Sequence, residues 1–239
     1  MCNLSPTPHP CGKCAFYRQS VWEPVGERNV AALAHQFKRK DLAQGRALWE
    51  QNSMSVGVTC ISNGLVALRR LHSDGGSTLL RLAYPGEVIG IRSFLTGRDH
   101  QTEAIALLPS RVCVVPRNRA SRIVKMNPEV MWRLAIRCID EIDRNQERIV
   151  AATRMSNMEQ LAALLQRLMD AHGEKLGDRR SMRLPLLRSE LAELIGVQPE
   201  TLSRLLGRLS QDGRISVSGR EIVMPVADAR RENTGPSRV

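Results

Sequence analysis

Cysteine is the residue type with the most distinctive chemistry in this chain of 239 residues, which contains six of them. Cys11 and Cys14 are separated by two residues, a spacing that allows two thiolates to bind one metal centre. Cysteines of a cytosolic protein are more often reduced, buried or metal-bound than paired in disulfides. Cys11 and Cys14 are therefore candidate metal ligands, whereas Cys60, within Thr59-Cys60-Ile61, and Cys138, in a predicted helix, are predicted to be buried packing residues.

The second group of candidate functional residues lies between positions 187 and 209, where two short helical patterns flank a tight turn. Gly196 can adopt the turn conformation, Pro199 suits the first position of a helix, and Ala192 is small where the two helices must cross. This arrangement is typical of a helix-turn-helix, and the alternating residues 213–223 predict a hairpin that completes a winged domain. An ordinary helical hairpin is the alternative.

The elements that must position the cysteines lie in the first half of the chain. Residues 25–116 consist of short apolar runs separated by glycine-containing turns, a pattern that predicts antiparallel strands in a sandwich or barrel. Residues 1–24 contain four prolines and little apolar periodicity, which indicates an irregular segment.

A long helix is predicted after Pro128, because apolar residues recur at alternating spacings of four and three. This seam consists of Met131, Ala135, Cys138, Ile142, Asn145, Ile149 and Ala152. A single polar residue such as Asn145 within an apolar seam is a feature of paired helices, in which it fixes the register. The pattern predicts a homodimer that pairs through Ile142, Asn145 and Ile149, and a helix packed on its own domain is the alternative.

The remaining boundaries follow from helix-ending signals and from composition. A second helix, Asn157 to His172, is predicted to end at Gly173, and the polar stretch from Glu174 to Ser181 is predicted to connect two domains. The predicted organisation is therefore an N-terminal segment 1–24, a sensor domain 25–126, a helical region 127–172, a winged domain 173–228 and a polar tail 229–239.

The order of these parts, a small sandwich, a long seam helix and a winged helix-turn-helix, resembles the CRP/FNR family of bacterial transcription regulators. The resemblance extends from about Cys11 to Val223 and is densest in Glu200-Thr201-Leu202-Ser203-Arg204-Leu205-Leu206-Gly207-Arg208, which is similar to the FNR version of the recognition helix. It implies an α+β fold: a cyclic-nucleotide-binding-like β jelly roll, a long dimerisation helix and a C-terminal winged helix-turn-helix. It also implies a cytoplasmic regulator, in most members an activator, whose partners are double-stranded DNA, a second copy of the chain and RNA polymerase.

In this family the second helix of the motif lies in the major groove of DNA. The resemblance implies that Glu200, Ser203 and Arg204 read bases, with Thr201 and Arg208 beside them. The chemistry fits, because an arginine can donate two hydrogen bonds to guanine and a glutamate can accept one from cytosine. CRP-type members have an arginine immediately before the glutamate, where this chain has Pro199. This departure favours the FNR-type half-site TTGAT over the CRP-type one.

The resemblance also implies a redox sensor. Cys11 and Cys14 occupy the place where FNR-type oxygen sensors carry ligands of a 4Fe-4S cluster, and Cys113 falls where those proteins have a distant ligand. Oxygen or nitric oxide would attack the cluster and weaken the dimer. Asn145 stands where FNR-type proteins often hold an aspartate that opposes pairing of the cluster-free form, so a less strict monomer–dimer switch is expected here.

One cluster ligand is missing from its usual place. FNR-type proteins carry this ligand about five to seven residues after the C-x2-C pair. Near that position this chain has Ser20 and Trp22 instead of a cysteine. Cys2 is the predicted fourth ligand, since its nine-residue span to Cys11 can reach roughly 30 Å. A cluster-free regulator of the FixK-like branch and a mononuclear metal site are the alternatives.

Cyclic AMP is not the expected ligand of the sensor domain. True cAMP binders pair a Gly-Glu with a downstream arginine that grips the cyclic phosphate. Here Gly86-Glu87 is present, but the downstream position reads His100-Gln101-Thr102-Glu103, which lacks the cation and places a carboxylate where the phosphate would lie. Glu87 is predicted to be a turn residue.

Composition and charge exclude several classes of protein. Apolar residues make up 42% of the chain, enough for packed domains, and no apolar run approaches the roughly 20 residues of a membrane span. The five histidines are scattered, and no P-loop, G-x-S-x-G or H-E-x-x-H motif is present, which disfavours an enzyme. The net charge of +11 indicates an acidic partner, yet residues 170–239 carry 12 basic and 10 acidic side chains, so most of the surplus lies in residues 1–169.

Overall fold

The computed structural model describes residues 11, 14–26, 28–29 and 37–225. The chain divides into two compact units, Met1–Arg154 and Met155–Val239. Two predictions fall outside the described residues: Cys2 as a metal ligand, and the polar tail 229–239. None of the described helices combines the length and the apolar character that a membrane span requires.

The first unit is a sandwich of two four-stranded antiparallel sheets, which confirms the predicted jelly roll. One sheet has the strand order β1-β8-β3-β6 and the other has the order β2-β7-β4-β5. The eight strands are β1 Lys38–Leu42, β2 Ala47–Trp49, β3 Gly57–Asn63, β4 Val66–Leu71, β5 Ser77–Ala83, β6 Val88–Ile89, β7 Glu103–Ala106 and β8 Ser110–Pro116.

Strand β8 shows how one sheet borders two apolar cores. Its side chains alternate, so that Val112 and Val114 enter the core between the sheets while Cys113 and Val115 enter a second core on the outer face. Because both faces are covered, the strand is apolar at nearly every position rather than at every second one. At Gly57 of β3, φ is +120° and a Cβ would collide with the Val115 carbonyl, so a glycine is required where β3 begins beside β8.

Helices and the N-terminal segment cover this outer face. The helices are α1 Ile91–Thr96, α2 Arg117–Met126 and α3 Pro128–Arg154, and short 3-10 turns lie at Tyr17–Gln19 and Glu23–Val25. Val130 and Leu134 of α3 pack in the same core as Tyr17, Val21 and Trp22 of the segment, together with Cys113 of β8. The segment and the first turns of α3 therefore share one apolar contact surface on the sheet.

The second unit contains the predicted helix-turn-helix and wing. Its elements are α4 Asn157–His172, β9 Glu174–Leu176, β10 Arg179–Arg183, α5 Arg188–Ile195, α6 Pro199–Gln211, β11 Ser216–Ser218 and β12 Glu221–Pro225. Ser156 and Glu159 form a capping box at the start of α4, and the helix ends at Gly173 as predicted. The compact units divide after Arg154, so α4 is grouped with the winged domain rather than with α3.

The prediction that Glu174 to Ser181 is a connection between domains was wrong. Strands β9 and β10 lie there and extend the wing into a sheet of order β11-β12-β10-β9. Ser181 pairs with Val223 of β12, and the neighbouring Met182 is buried. The stretch is polar because β9 is an exposed edge strand, a common way to keep a sheet edge from pairing with other chains.

His100 lies inside the sensor core. Only 2% of the residue is exposed, its ring stacks on Trp49 at a centroid distance of 4.1 Å, and its Nε2 accepts a hydrogen bond of 3.2 Å from the Val56 amide. Burial lowers the pKa of His100 from 6.5 to about 4. The imidazole is therefore neutral in the folded protein at neutral pH.

This burial predicts acid sensitivity of the sensor domain. The unfolded chain binds a proton at His100 more readily than the folded one does. The free energy of unfolding is therefore unaffected by the protonation of this residue above pH 6.5, and it decreases as the pH falls from 6.5 toward 4. Between pH 7 and pH 5 the loss from this residue is about 2 kcal/mol. Urea unfolding at both pH values should show a smaller loss in His100→Gln than in the unsubstituted protein. His72→Gln is the matched control, because that histidine is exposed, and equal losses in all three proteins would contradict the account.

Candidate DNA interface and cysteine site

Helix α6 is strongly amphipathic, and its two faces have separate roles. Its buried face consists of Leu202, Leu205, Leu206 and Leu209. These positions follow the i, i+3, i+4, i+7 rule, so the remaining side chains lie on the opposite side of the helix. This second face is polar and exposed.

The predicted base readers lie on the polar face of α6. Glu200, Ser203, Arg204 and Arg208 are exposed, while Thr201 is half-buried. The Arg204 guanidinium donates a hydrogen bond of 3.2 Å to the Thr201 hydroxyl, and the Ser203 hydroxyl donates one of 3.1 Å to the Pro199 carbonyl. Ser203 therefore keeps its oxygen lone pairs as acceptors, and Arg204 is partly oriented before any ligand binds.

The turn before α6 has the predicted chemistry. Gly196 adopts the left-handed conformation at φ +70°, and its amide donates to the Ala192 and Glu193 carbonyls at the end of α5. Pro199 is the first residue of α6, where the missing N–H costs nothing. The Glu190 carboxylate accepts a 2.6 Å hydrogen bond from the Leu187 amide and satisfies one unpaired donor at the start of α5.

Two arginines fasten the wing to the start of the motif. The Arg220 guanidinium, in the turn between β11 and β12, donates to the Leu184 carbonyl at 2.8 Å. Arg188, the first residue of α5, donates to the Gly219 carbonyl in the same turn. The β11–β12 turn is thus held beside α5.

Helix α3 has an exposed apolar surface that is wider than the predicted seam. Ile142, Asn145 and Ile149 of the predicted seam are exposed, with exposed fractions of 54% for Ile142 and 67% for Ile149. The exposed apolar residues also include Trp132, Ile136, Ile139 and Val150, which lie beside the predicted seam. Two seam residues are less exposed: Ala135 is half-buried, and Cys138 is half-buried and packs against the core of its own unit.

Four cysteines line one small cavity on the outer face of the sandwich. They are Cys11 and Cys14 of the N-terminal segment, Cys60 of β3 and Cys113 of β8. The Cys14 amide donates to the Cys11 carbonyl at 3.0 Å, which holds the two residues in one turn. Three of the predicted ligands, Cys11, Cys14 and Cys113, thus line one cavity together with Cys60, and the fourth, Cys2, lies outside the described residues.

Burial and the neighbouring thiols raise the pKa values of Cys11, Cys60 and Cys113. Burial is the largest cause for Cys11, whose pKa rises to about 12, and for Cys60, whose pKa rises to about 11. Burial also raises the pKa of Cys113, and electrostatic interactions with Cys60, Cys11 and Cys14 add to that shift. The negative charge of four thiolates would therefore be costly here without a compensating cation.

The size of the cavity limits what it can hold as it stands. Its volume is about 30 Å³, which is room for one or two water molecules. Within the described ranges, no three His, Cys, Asp or Glu side chains are close enough to hold a single metal ion. Thiolates are the usual ligands of iron–sulfur clusters, so the donor chemistry fits such a cluster while the space does not yet accommodate it.

Two buried hydrogen-bond donors near this site are not fully satisfied. Trp22 is 1% exposed, its indole lies against Cys60 closely enough to lower that thiol's pKa, and its Nε1 makes no well-formed hydrogen bond to a described residue. Arg39 of β1 is the register partner of Cys113, and its positive charge offsets part of the rise in the pKa of that thiol. The Arg39 Nε is likewise buried and makes no hydrogen bond within the described part of the chain.

The N-terminal segment is tied to α3 by ionic and polar contacts. Arg133 of α3 forms an ion pair of 2.6 Å with Glu23 and donates to the Ser20 carbonyl at 3.4 Å. One turn further on, Arg137 donates to the Gln19 carbonyl at 2.6 Å. These contacts join the segment that carries Cys11 and Cys14 directly to the long helix.

The residues that a cyclic nucleotide would use have other partners. Glu87 is the last residue of the turn around Pro85-Gly86, since its amide donates to the Tyr84 carbonyl at 3.0 Å, and it forms an ion pair of 3.2 Å with Arg81. Arg81 also lies 3.5 Å from Glu141 of α3. His100 is packed in the core on Trp49.

Comparison with known proteins supports the architecture over most of the chain. Sequence profiles for the cyclic nucleotide-binding domain and the Crp-like helix-turn-helix domain match residues 39–127 and 159–229. A probable transcriptional activator of Rhizobium leguminosarum bv. viciae is 28% identical over 93% of this chain and 92% of its own length. An anaerobic regulatory protein of Haemophilus influenzae is 24% identical over 95% of this chain and 89% of its own length.

A solved structure shows the same fold. The structure of FixK2 from Bradyrhizobium japonicum superposes with a TM-score of 0.66 and 23% sequence identity, over 79% of this chain and 92% of that one. Both predicted domains are thus matched in sequence, in the expected order, and the fold is matched in three dimensions. The chain belongs to the CRP/FNR family of transcription regulators.

Proposed function

We propose that this regulator binds TTGAT-type palindromes as a homodimer, acts mainly as an activator through RNA polymerase, and responds to low oxygen or redox state through a 4Fe-4S cluster. The observation that carries the DNA-binding part is the exposed polar face of α6, with Glu200, Ser203 and Arg204 on one side of a leucine-packed helix. A helix in this position can enter the major groove and present a bidentate donor to guanine.

Dimerisation is supported by the exposed apolar residues of α3. A soluble domain rarely exposes a continuous row of isoleucines such as Ile139, Ile142 and Ile149 without a partner for it. A second copy of the same helix suits this row, since Asn145 sits within it at a position that fixes register in paired helices. Two recognition helices would then read inverted half-sites about 34 Å apart.

Sensing is supported by the cysteine site and its connection to α3. Cys11, Cys14 and Cys113 share one cavity, the Trp22 Nε1–H beside it makes no well-formed hydrogen bond, and the nearby Arg39 Nε–H makes none to a described residue. A cluster would supply iron to bind the thiolates and inorganic sulfide to accept hydrogen bonds. The covering segment must shift outward to admit a group of that size, and Arg133 would transmit the shift to the dimerisation helix.

A cluster-free regulator of the FixK-like type is the second candidate. Ser20 stands near the window in which FNR-type sensors carry a further cysteine, and it is buried against the same cavity. FixK2 itself shares the fold. In this case the protein would bind the same palindrome with no dependence on oxygen.

Loss of Arg204 should weaken DNA binding and relax its specificity. In Arg204→Ala, the bidentate contact to guanine is removed, which costs about 1–3 kcal/mol, or roughly a 5- to 150-fold rise in Kd. Fluorescence anisotropy with a TTGAT palindrome, and with the same palindrome substituted at its guanine, measures both effects. The variant should discriminate poorly between the two DNA molecules.

Arg183→Ala is the matched control for that experiment. It removes the same charge from an exposed position of the same domain, on β10 rather than on α6. This substitution can remove at most one contact to a DNA phosphate. It should therefore change Kd by no more than about threefold, and equally for both DNA molecules. Equal effects of the two substitutions would contradict the assignment of Arg204 as a base reader.

A negative charge at Asn145 should weaken the dimer. In Asn145→Asp, two carboxylates face each other across the pair of α3 helices, at a cost of about 1 kcal/mol or more, which is roughly a fivefold rise in the dimer dissociation constant. Sedimentation equilibrium of the cluster-free protein at micromolar concentration measures this constant.

Gln146→Glu adds the same charge one position away, beside the predicted seam. Charged residues are tolerated at the flanks of paired helices, so the control should dimerise nearly as well as the unsubstituted protein. A larger effect of the Gln146 substitution than of the Asn145 substitution would show that the helices pair through a different face of α3. If the unsubstituted protein is monomeric, pairing of the cluster-free form is contradicted.

A further inference from the structure

We infer that Cys60, rather than Cys2, is the fourth cysteine ligand of the iron–sulfur site, so that two strand cysteines and two segment cysteines hold one cluster. The inference rests on the proposed cluster and specifies its ligands. It begins from the position of Cys60 in the sheet.

Cys60 and Cys113 are direct partners in the ladder between β3 and β8. Side chains of directly opposed residues in an antiparallel pair lie on the same face, with Cβ atoms about 4.5–5.5 Å apart. Cys60 packs against the same outer core as Cys113, while the adjacent Ile61 enters the core between the sheets. The ladder therefore holds two thiols side by side on one face.

The N-terminal segment brings the other two thiols onto this pair. Cys11 is buried against the outer core and Cys14 is half-buried there. All four cysteines line the same small cavity. They are therefore neighbours on one face of the sheet, as the four ligands of a single cluster must be.

The surroundings of Cys60 suit an acceptor richer in negative charge than a thiol. The buried indole N–H of Trp22 lies against the Cys60 sulfur without forming a good hydrogen bond. Such an N–H can donate to a thiolate or to a cluster sulfide, and hydrogen bonds of this kind tune iron–sulfur clusters. Arg39 provides positive charge on the Cys113 side of the site.

Preorganisation also favours Cys60 over Cys2. Cys60 is fixed in the middle of β3 by ladders on both sides, to β8 and to β6. Cys2 lies nine positions before Cys11 in the sequence, so its use as a ligand would close a further loop of the chain. Closing a loop costs conformational entropy, whereas a strand residue such as Cys60 is already held by its ladders.

The test is reconstitution of the full-length protein with ferrous iron and sulfide in the absence of oxygen, followed by measurement of iron, acid-labile sulfide and visible absorbance. The unsubstituted protein should bind about four iron and four sulfide per chain. The variants Cys60→Ser and Cys113→Ser should lose most or all of the cluster absorbance. The variants Cys2→Ser and Cys138→Ser should retain it. Cys138 is the matched control because it too is half-buried against the outer core but does not line the cavity.

Loss of the cluster in Cys2→Ser with retention in Cys60→Ser would overturn the inference while leaving the proposed function intact. Absence of a cluster from the unsubstituted protein, a zinc ion in its place, or a disulfide between Cys60 and Cys113 would overturn both. Full occupancy in Cys2→Ser supports the inference even if Cys60→Ser fails to fold.

A second measurement needs no substitution. The rate of alkylation of each cysteine by iodoacetamide, mapped by mass spectrometry, is compared before and after cluster loading. Cys60 should be protected at least about tenfold on loading, together with the other three ligands. Cys2 and Cys138 should react at unchanged rates, and protection of Cys2 instead of Cys60 would contradict the assignment.

Discussion

The antiparallel ladder between β3 and β8 is the constraint on which the sensor half of the protein depends. It places Cys60 opposite Cys113 and gives the sheet an apolar outer face. An apolar face of this kind must be covered, and the residues that cover it are Trp22 with its neighbours in the N-terminal segment and the start of α3. The burial that stabilises the fold therefore also places Cys11 and Cys14 beside the two strand cysteines.

The same contacts give a route by which a chemical event at the cysteines would reach the proposed dimer surface. The segment that carries Cys11 and Cys14 is bound to α3 through Arg133 and Arg137, and α3 exposes the apolar row that a second copy would cover. In the proposed DNA complex, recognition by the second unit would rest on a few side chains of α6, since the charge of residues 170–239 is nearly balanced. The larger positive surplus of residues 1–169 can add salt-dependent attraction to DNA phosphates.

Local signals in the sequence were sufficient for the jelly roll, the long helix and the helix-turn-helix, because turn glycines, heptad spacing and Pro199 act over a few residues. They were not sufficient where strand pairing decides the outcome. Glu174 to Ser181 is too polar to be recognised as a strand pair, and it forms β9 and β10 only because β12 pairs with β10. Cys60 has the sequence context of a packing residue, and only the register with β8 places it beside Cys113.

The central claim is that a cluster on these cysteines controls DNA binding. It is tested most directly by the Kd of one sample of reconstituted protein for a TTGAT palindrome, measured without oxygen and again after exposure to air. The account predicts bleaching of the visible absorbance together with a rise in Kd of roughly tenfold, the typical scale of such coupling between sites. An unchanged Kd in air, with or without bleaching, would contradict it.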